Sequence, residues 1–135
     1  MEWEQAQDVK KDIHEILMVL AMPHINYERL FIYRTQGSKA RAYARTWGFP
    51  KIFQEALGVE PAYVIEVLSQ YYDRLPSDEK KKVLIHELLH IPKNFSGALL
   101  PHRTAHRNMN TQVNTTFKEF KKLRSKSIKD NKATI

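Results

Sequence analysis

Cysteine is absent from this chain. Its absence excludes disulfide stapling, thiolate nucleophiles and any metal held by cysteine sulfur. A metal ion here must be held by His, Asp or Glu. Long apolar runs are missing as well, and nothing approaches the roughly 20 residues of a membrane span. The N-terminal stretch "MEWEQAQDVKKD" is charged and carries no apolar signal core. The expectation is a cytoplasmic chain with no membrane partner. Internal repeats and low-complexity segments are also lacking, which argues against solenoids and linkers.

What is present suits one compact domain. The chain has 135 residues, 42% of them hydrophobic and 10% aromatic. That is enough apolar material for a real core in a domain of ordinary size. The formal charge is +7, which keeps nucleic acid or another anionic surface in view as a partner. The charge is uneven. "KEFKKLRSKSIKDNK" near the C-terminus holds seven basic and two acidic residues.

Apolar spacing orders the chain. Val9, Ile13, Ile16, Leu17 and Leu20 recur at helical intervals over residues 8–20, and Pro23 follows as a stop. His14 lies beside that stripe and reads as an ordinary boundary histidine. "RLFIYRT" predicts a short strand turned by Gly37 and Ser38. Residues 40–60 are ambiguous: "KIFQEAL" suits a helical turn or two, or an irregular strand. "PAYVIEVLSQYY" alternates and is rich in β-branched residues, so it predicts a strand. "LPSDEKKKVLIHELLHIP" predicts a helix capped by Ser77 or Asp78, with Asp78 and Glu79 at its positive end and Pro92 at its exit. A last helix starts near Arg107, with Met109, Val113, Phe117 and Phe120 on one face, and its pattern fades after about residue 124. The expected organisation is one α+β domain over 1–124 with a small, mixed sheet, then a basic, flexible tail over 125–135.

The chemistry concentrates in "HELLHIPKNFSGALLPHRTAH". His86 and His90 are four residues apart, which puts both imidazoles on one helix face. Two nitrogens can then converge on one ion. Glu87 need not ligate. Its carboxylate can take the proton of a water activated for attack, which is the physical content of the H-E-x-x-H pattern. Zinc suits imidazoles in a roughly tetrahedral array. Leu84, Leu88 and Ile91 form an apolar stripe on the same helix, flanked by Ile85 and Leu89. Histidines and a glutamate on so apolar a helix need partners, and a metal supplies them.

Catalytic zinc keeps three protein ligands and one open position. His102 and His106 are the candidates for the third. Both follow a loop with Gly97 and Pro101 that can turn the chain back over the site. His102, next to Pro101, is favoured, and His106 is the alternative. The compact metzincin pattern is not met, since Lys93 and Ser96 occupy its glycine and third-histidine positions. Glu119 is a weaker third-ligand candidate in a basic stretch.

On these residues the chain resembles the zincin metallopeptidases, and among them a small metallopeptidase family of phages, bacteria and archaea. The resemblance rests on "YVIEVLSQYYDRLPSDEKKKVLIHELLHIP" and "FSGALLPH". "YRTQGSKARAYARTWGFP" carries it more weakly. It implies a minimal zincin-like fold in which the edge of a small sheet faces the substrate cleft. It further implies His86, His90 and His102 as zinc ligands and Glu87 as catalytic base.

The expected function is therefore zinc-dependent hydrolysis of peptide bonds in a peptide or protein substrate. "YVIEVLSQ" could receive that substrate by strand addition, or could be an interior strand. Tyr71, Tyr72, Arg103 and Arg107 are candidates for cleft contacts or oxyanion stabilisation. Asp73 could hydrogen-bond a ligand histidine or serve in a turn. Two alternatives stand beside this reading. One is a nucleic-acid-binding module with a structural metal, using Lys118, Lys121, Lys122, Arg124, Lys126, Lys129 and Lys132. The other is an inactive zincin-like scaffold that binds partners.

Overall fold

A computed structural model describes residues 1–104 and 107–133 of the chain. The element order is β1 (Glu2–Gln5), α1 (Gln7–Leu20), a 3-10 turn (Tyr27–Arg29), β2 (Leu30–Gln36), β3 (Ala44–Trp47) and α2 (Lys51–Leu57). It continues with β4 (Tyr63–Leu68), α3 (Ser69–Tyr72), α4 (Ser77–Leu88), β5 (Arg103–Thr104), β6 (Arg107–Asn108) and α5 (Met109–Ala133). The fold is α+β, as the sequence predicts. Among the described residues no helix is long and apolar enough to cross a membrane.

Four strands form one mixed sheet in the order β1-β2-β4-β3. β2 and β4 run parallel, with Leu30 opposite Tyr63 and Thr35 opposite Leu68. β1 and β3 close the two sides antiparallel, with Trp3 opposite Thr35 and Thr46 opposite Ile65. Strand period 2 then sorts the side chains between two faces. Leu30, Ile32, Tyr63, Ile65 and Val67 join Val9, Ile13, Ile16, Leu84, Leu88, Val113 and Phe120 in one core. The helices α1, α4 and α5 therefore cover this inner face. Phe31, Tyr33, Thr35, Val64, Glu66, Arg45, Trp47 and Trp3 alternate to the other face.

β4 is interior, paired on one side by β2 and on the other by β3. It has no free edge, so "YVIEVLSQ" cannot receive a peptide by strand addition. The edge nearest the helix of the histidines is β3, whose short "ARTW" run falls in the ambiguous stretch. "KIFQEAL" is helical, as α2, and buries none of its residues.

Three helix ends have particular features. Pro76 occupies the N-cap of α4, and neither Ser77 nor Asp78 makes a capping side-chain bond. Proline fits there because its missing N–H is not needed and its fixed φ suits the entry. α1 ends at Ala21, which takes a left-handed φ of 50° and bonds Leu17, two residues before Pro23. α5 stays helical to Ala133, past the point where its apolar pattern fades.

Candidate metal centre

α4 carries the central residues in its last turns, which are buried among Leu84, Ile85 and Leu88. The regular helix stops at Leu88. His90 and Ile91 then bond back three residues, to the carbonyls of Glu87 and Leu88 at 3.1 Å each. This tight turn still presents both histidines to one side, with ring centroids 5.1 Å apart.

The loop after α4 brings the third histidine back. It is pinned along its length. Gly97 donates to the Tyr63 hydroxyl at 2.8 Å, and that hydroxyl donates to the Ala98 carbonyl at 2.7 Å. Phe49 N–H donates to the Gly97 carbonyl at 2.8 Å, and Gln54 holds the carbonyls of Phe49 and Ser96. Gly97 takes φ 96°, and a Cβ there would lie 2.2 Å from the Phe49 carbonyl oxygen. Only glycine satisfies both conditions. The loop then closes on the site itself. Leu100 N–H donates to the His90 carbonyl at 2.7 Å. His90 Nδ1 donates to the Leu100 carbonyl at 2.6 Å. Since a carbonyl only accepts, this bond places the proton on Nδ1 and makes Nε2 the unprotonated nitrogen.

His102 follows directly. Its ring lies 4.5 Å from that of His90 and 5.1 Å from that of His86. One ring nitrogen from each of His86, His90 and His102 lies within 4.8 Å of the others. Nitrogens about 2.1 Å from one tetrahedral ion sit roughly 3.4 Å apart. Small ring rotations would close the difference, and an all-imidazole donor set suits zinc. His106 lies outside the described residues. Glu119 is exposed on α5 and does not join the cluster.

Burial pushes His86 down to about 4, helped by the neighbouring His90 and His102. Its imidazole is thus neutral at pH 7, the state that can ligate a metal. Glu87 is 5% exposed. Burial pushes its carboxyl up to about 7, partly offset by a hydrogen bond from Thr46. Thr46 Oγ1 lies 3.2 Å from both Glu87 Oε1 and the Glu87 carbonyl. A carboxyl with that affinity for protons can exchange them near neutrality. Beside His86 and Glu87 opens a cleft of about 430 Å³, with Ala42, Tyr43 and Ala44 on one wall and Asn110, Val113 and Asn114 on the other. The start of β3 and α5 thus frame His86 and Glu87.

Other predicted contacts fall elsewhere. Tyr72 is 1% exposed in the core, and its hydroxyl has no hydrogen-bond partner among the described residues. Enclosed there, it cannot reach the cleft. Tyr71 packs edge-on against Tyr43 at 6.5 Å, one ring removed from the site. Asp73 turns to Arg34, which it shares with Asp8, and not to a histidine. Arg103 is exposed on β5, and Arg107 belongs to β6. His14 is exposed and its ring lies 4.9 Å from that of Tyr27, which packs against the core's edge, as a boundary histidine would.

Thr46 is the residue that sequence reasoning misses. It is 41 positions from Glu87, and no local pattern marks it. Its only signal is its place on a strand beside the helix.

A family model described as Putative phage metallopeptidase matches residues 1–123. No curated protein and no solved structure matches the chain. The match runs from β1 into α5 and includes every residue of the cluster.

Proposed function

This chain belongs to the Putative phage metallopeptidase family, and from that premise we propose that it is a zinc-dependent peptidase whose catalytic base is Glu87. The observation that carries the reading is the convergence of His86, His90 and His102 beside a buried glutamate. A zinc ion held by the three histidines would supply Lewis acidity to a substrate carbonyl and to an attacking water. The rest falls to the chain. Nδ1 of His90, tied to the Leu100 carbonyl, fixes the ring so that Nε2 faces the cluster. Glu87 takes a proton from the attacking water and passes it to the leaving amine. The Thr46 hydroxyl steadies the Glu87 carboxylate after each transfer. An extended substrate lies along the free edge of β3, which begins at the cleft wall with Ala44.

Replacement of Glu87 by Gln tests the assignment. General base catalysis contributes about 10²–10⁴-fold, so Glu87→Gln is expected to lose at least about a hundredfold in peptide hydrolysis. Zinc content should stay at the wild-type level. Hydrolysis unchanged in Glu87→Gln would remove Glu87 as the base.

A further inference from the structure

The sheet face turned away from the helices carries an arrangement that peptide hydrolysis does not use. Glu66 stands at its centre and is 3% exposed. Trp3 Nε1 donates to one carboxylate oxygen and Trp47 Nε1 to the other, each at 3.0 Å. Thr35 and Arg45 complete the ring of donors. One strand of the sheet supplies the acid and the other three supply the donors. The consequence lies outside the carboxylate. Both indoles are anchored by their N–H groups while Trp3 and Trp47 remain 62% and 50% exposed as residues. With Tyr33 and Val64 they line a cavity of about 390 Å³. Phe31 stands on the same face, half-exposed.

Cations accompany the rings. The Arg45 guanidinium lies 5.2 Å from the Trp47 ring centre with its charge paired to Glu66, and that of Arg29 lies 5.8 Å from the ring of Phe31. Arg29 is hydrogen-bonded to the carbonyls of Glu60 and Pro61, which leaves its positive charge intact. Rigid exposed aromatics beside arginine on an open sheet suit a ligand with flat rings and negative charge. Single-stranded nucleic acid has both: its bases stack on aromatic faces and its phosphates seek cations. The indole N–H groups, Thr35 and Arg45 are turned inward to Glu66, so the two indoles offer ring planes and not groups that read a ribose hydroxyl. We propose that the Trp3–Trp47 face is a stacking platform for single-stranded DNA, separate from the metal centre on the other side of the sheet. It is also distinct from the lysines of α5, which lie in the helical layer and partly pair internally, as Lys121 does with Asp78.

The chain has two tryptophans, and both belong to this face. Intrinsic fluorescence therefore reports on it directly. The full chain is titrated with oligothymidylate of about 12 nucleotides at about 50 mM salt. Tryptophan emission should be quenched, and the affinity should fall steeply as salt rises. Phe31→Ala, which removes no hydrogen bond, and Trp3→Ala should each weaken binding about fivefold or more. Zinc content and peptide hydrolysis should not change in either variant, so failure of the platform is separable from failure of the peptidase reading. Several results would overturn the proposal. One is the absence of quenching at low salt. A second is binding lost in Lys118→Gln/Lys122→Gln but kept in Phe31→Ala and Trp3→Ala. A third is tighter binding of oligouridylate than of oligothymidylate. A fourth is quenching by a neutral oligosaccharide without any by the oligonucleotide.

Discussion

At the residue scale, the site depends on what each side chain is not free to do. His90 donates its Nδ1–H to the Leu100 carbonyl, which makes Nε2 the unprotonated nitrogen. Glu87 is held in an apolar helix face, where burial raises its proton affinity. Thr46 is the residue that makes the charged form of Glu87 tolerable. A hydrogen bond to a charged group is worth about 1.5–3 kcal/mol. Thr46→Val should therefore cost about tenfold or more in kcat/KM for peptide hydrolysis. The change keeps the shape and removes only the hydroxyl, so zinc content should hold. Full activity in Thr46→Val would show that Glu87 needs no such partner. His86, Glu87 and His90 were legible because helical spacing alone brings them together. Thr46 was not, because its partner lies 41 residues away and only the sheet joins them.

Elements show the same division. α1 and α4 were legible from apolar residues at intervals of three and four, since each buries one stripe. α2 carried no such signal because it buries no residue. β3 is four residues long and half-exposed, too short for alternation to speak. α5 outlasts its apolar face, whose last fully buried member is Phe120. The loop from Pro92 to Pro101 is the element on which the third histidine depends. Its expected turn through Gly97 is present, but the sequence did not reveal what it turns against. Gly48 and Gly97 let two backbones meet, since a Cβ on Gly48 would lie 2.4 Å from the Gly97 carbonyl oxygen. Gly97→Ala meets both a positive φ and the Phe49 carbonyl. We expect it to destabilise the fold by more than about 2 kcal/mol and to weaken zinc binding by displacing His102. A denaturant midpoint equal to that of the wild type would contradict this account of the loop.

Across the whole molecule, the sheet is a partition. Its inner face builds the core and frames the histidine cluster, and its outer face gathers around Glu66. Alternation placed Glu66 on a strand face, but nothing in the sequence showed that β1, β2 and β3 would each send it a donor. Burial raises the proton affinity of Glu66. The hydrogen bonds from Arg45, Thr35, Trp47 and Trp3 outweigh that and hold it well below its usual 4.5, at about 2. A depressed pKa in the folded state means that the ionised form is the one the fold favours. The stabilisation is then complete above about pH 4.5 and is lost as pH falls toward 2. Urea midpoints should drop across that window in the wild type. They should drop less in Glu66→Gln, which has no charge to lose. Parallel curves would show that Glu66 contributes nothing to acid sensitivity.

The account as a whole stands on three histidines sharing one ion. Metal analysis of the purified full chain after zinc reconstitution tests that most directly. The prediction is close to one zinc per chain, falling sharply in His102→Ala and unchanged in His106→Ala. Less than about 0.2 zinc per chain in the wild type, or full occupancy retained in His102→Ala, would contradict it.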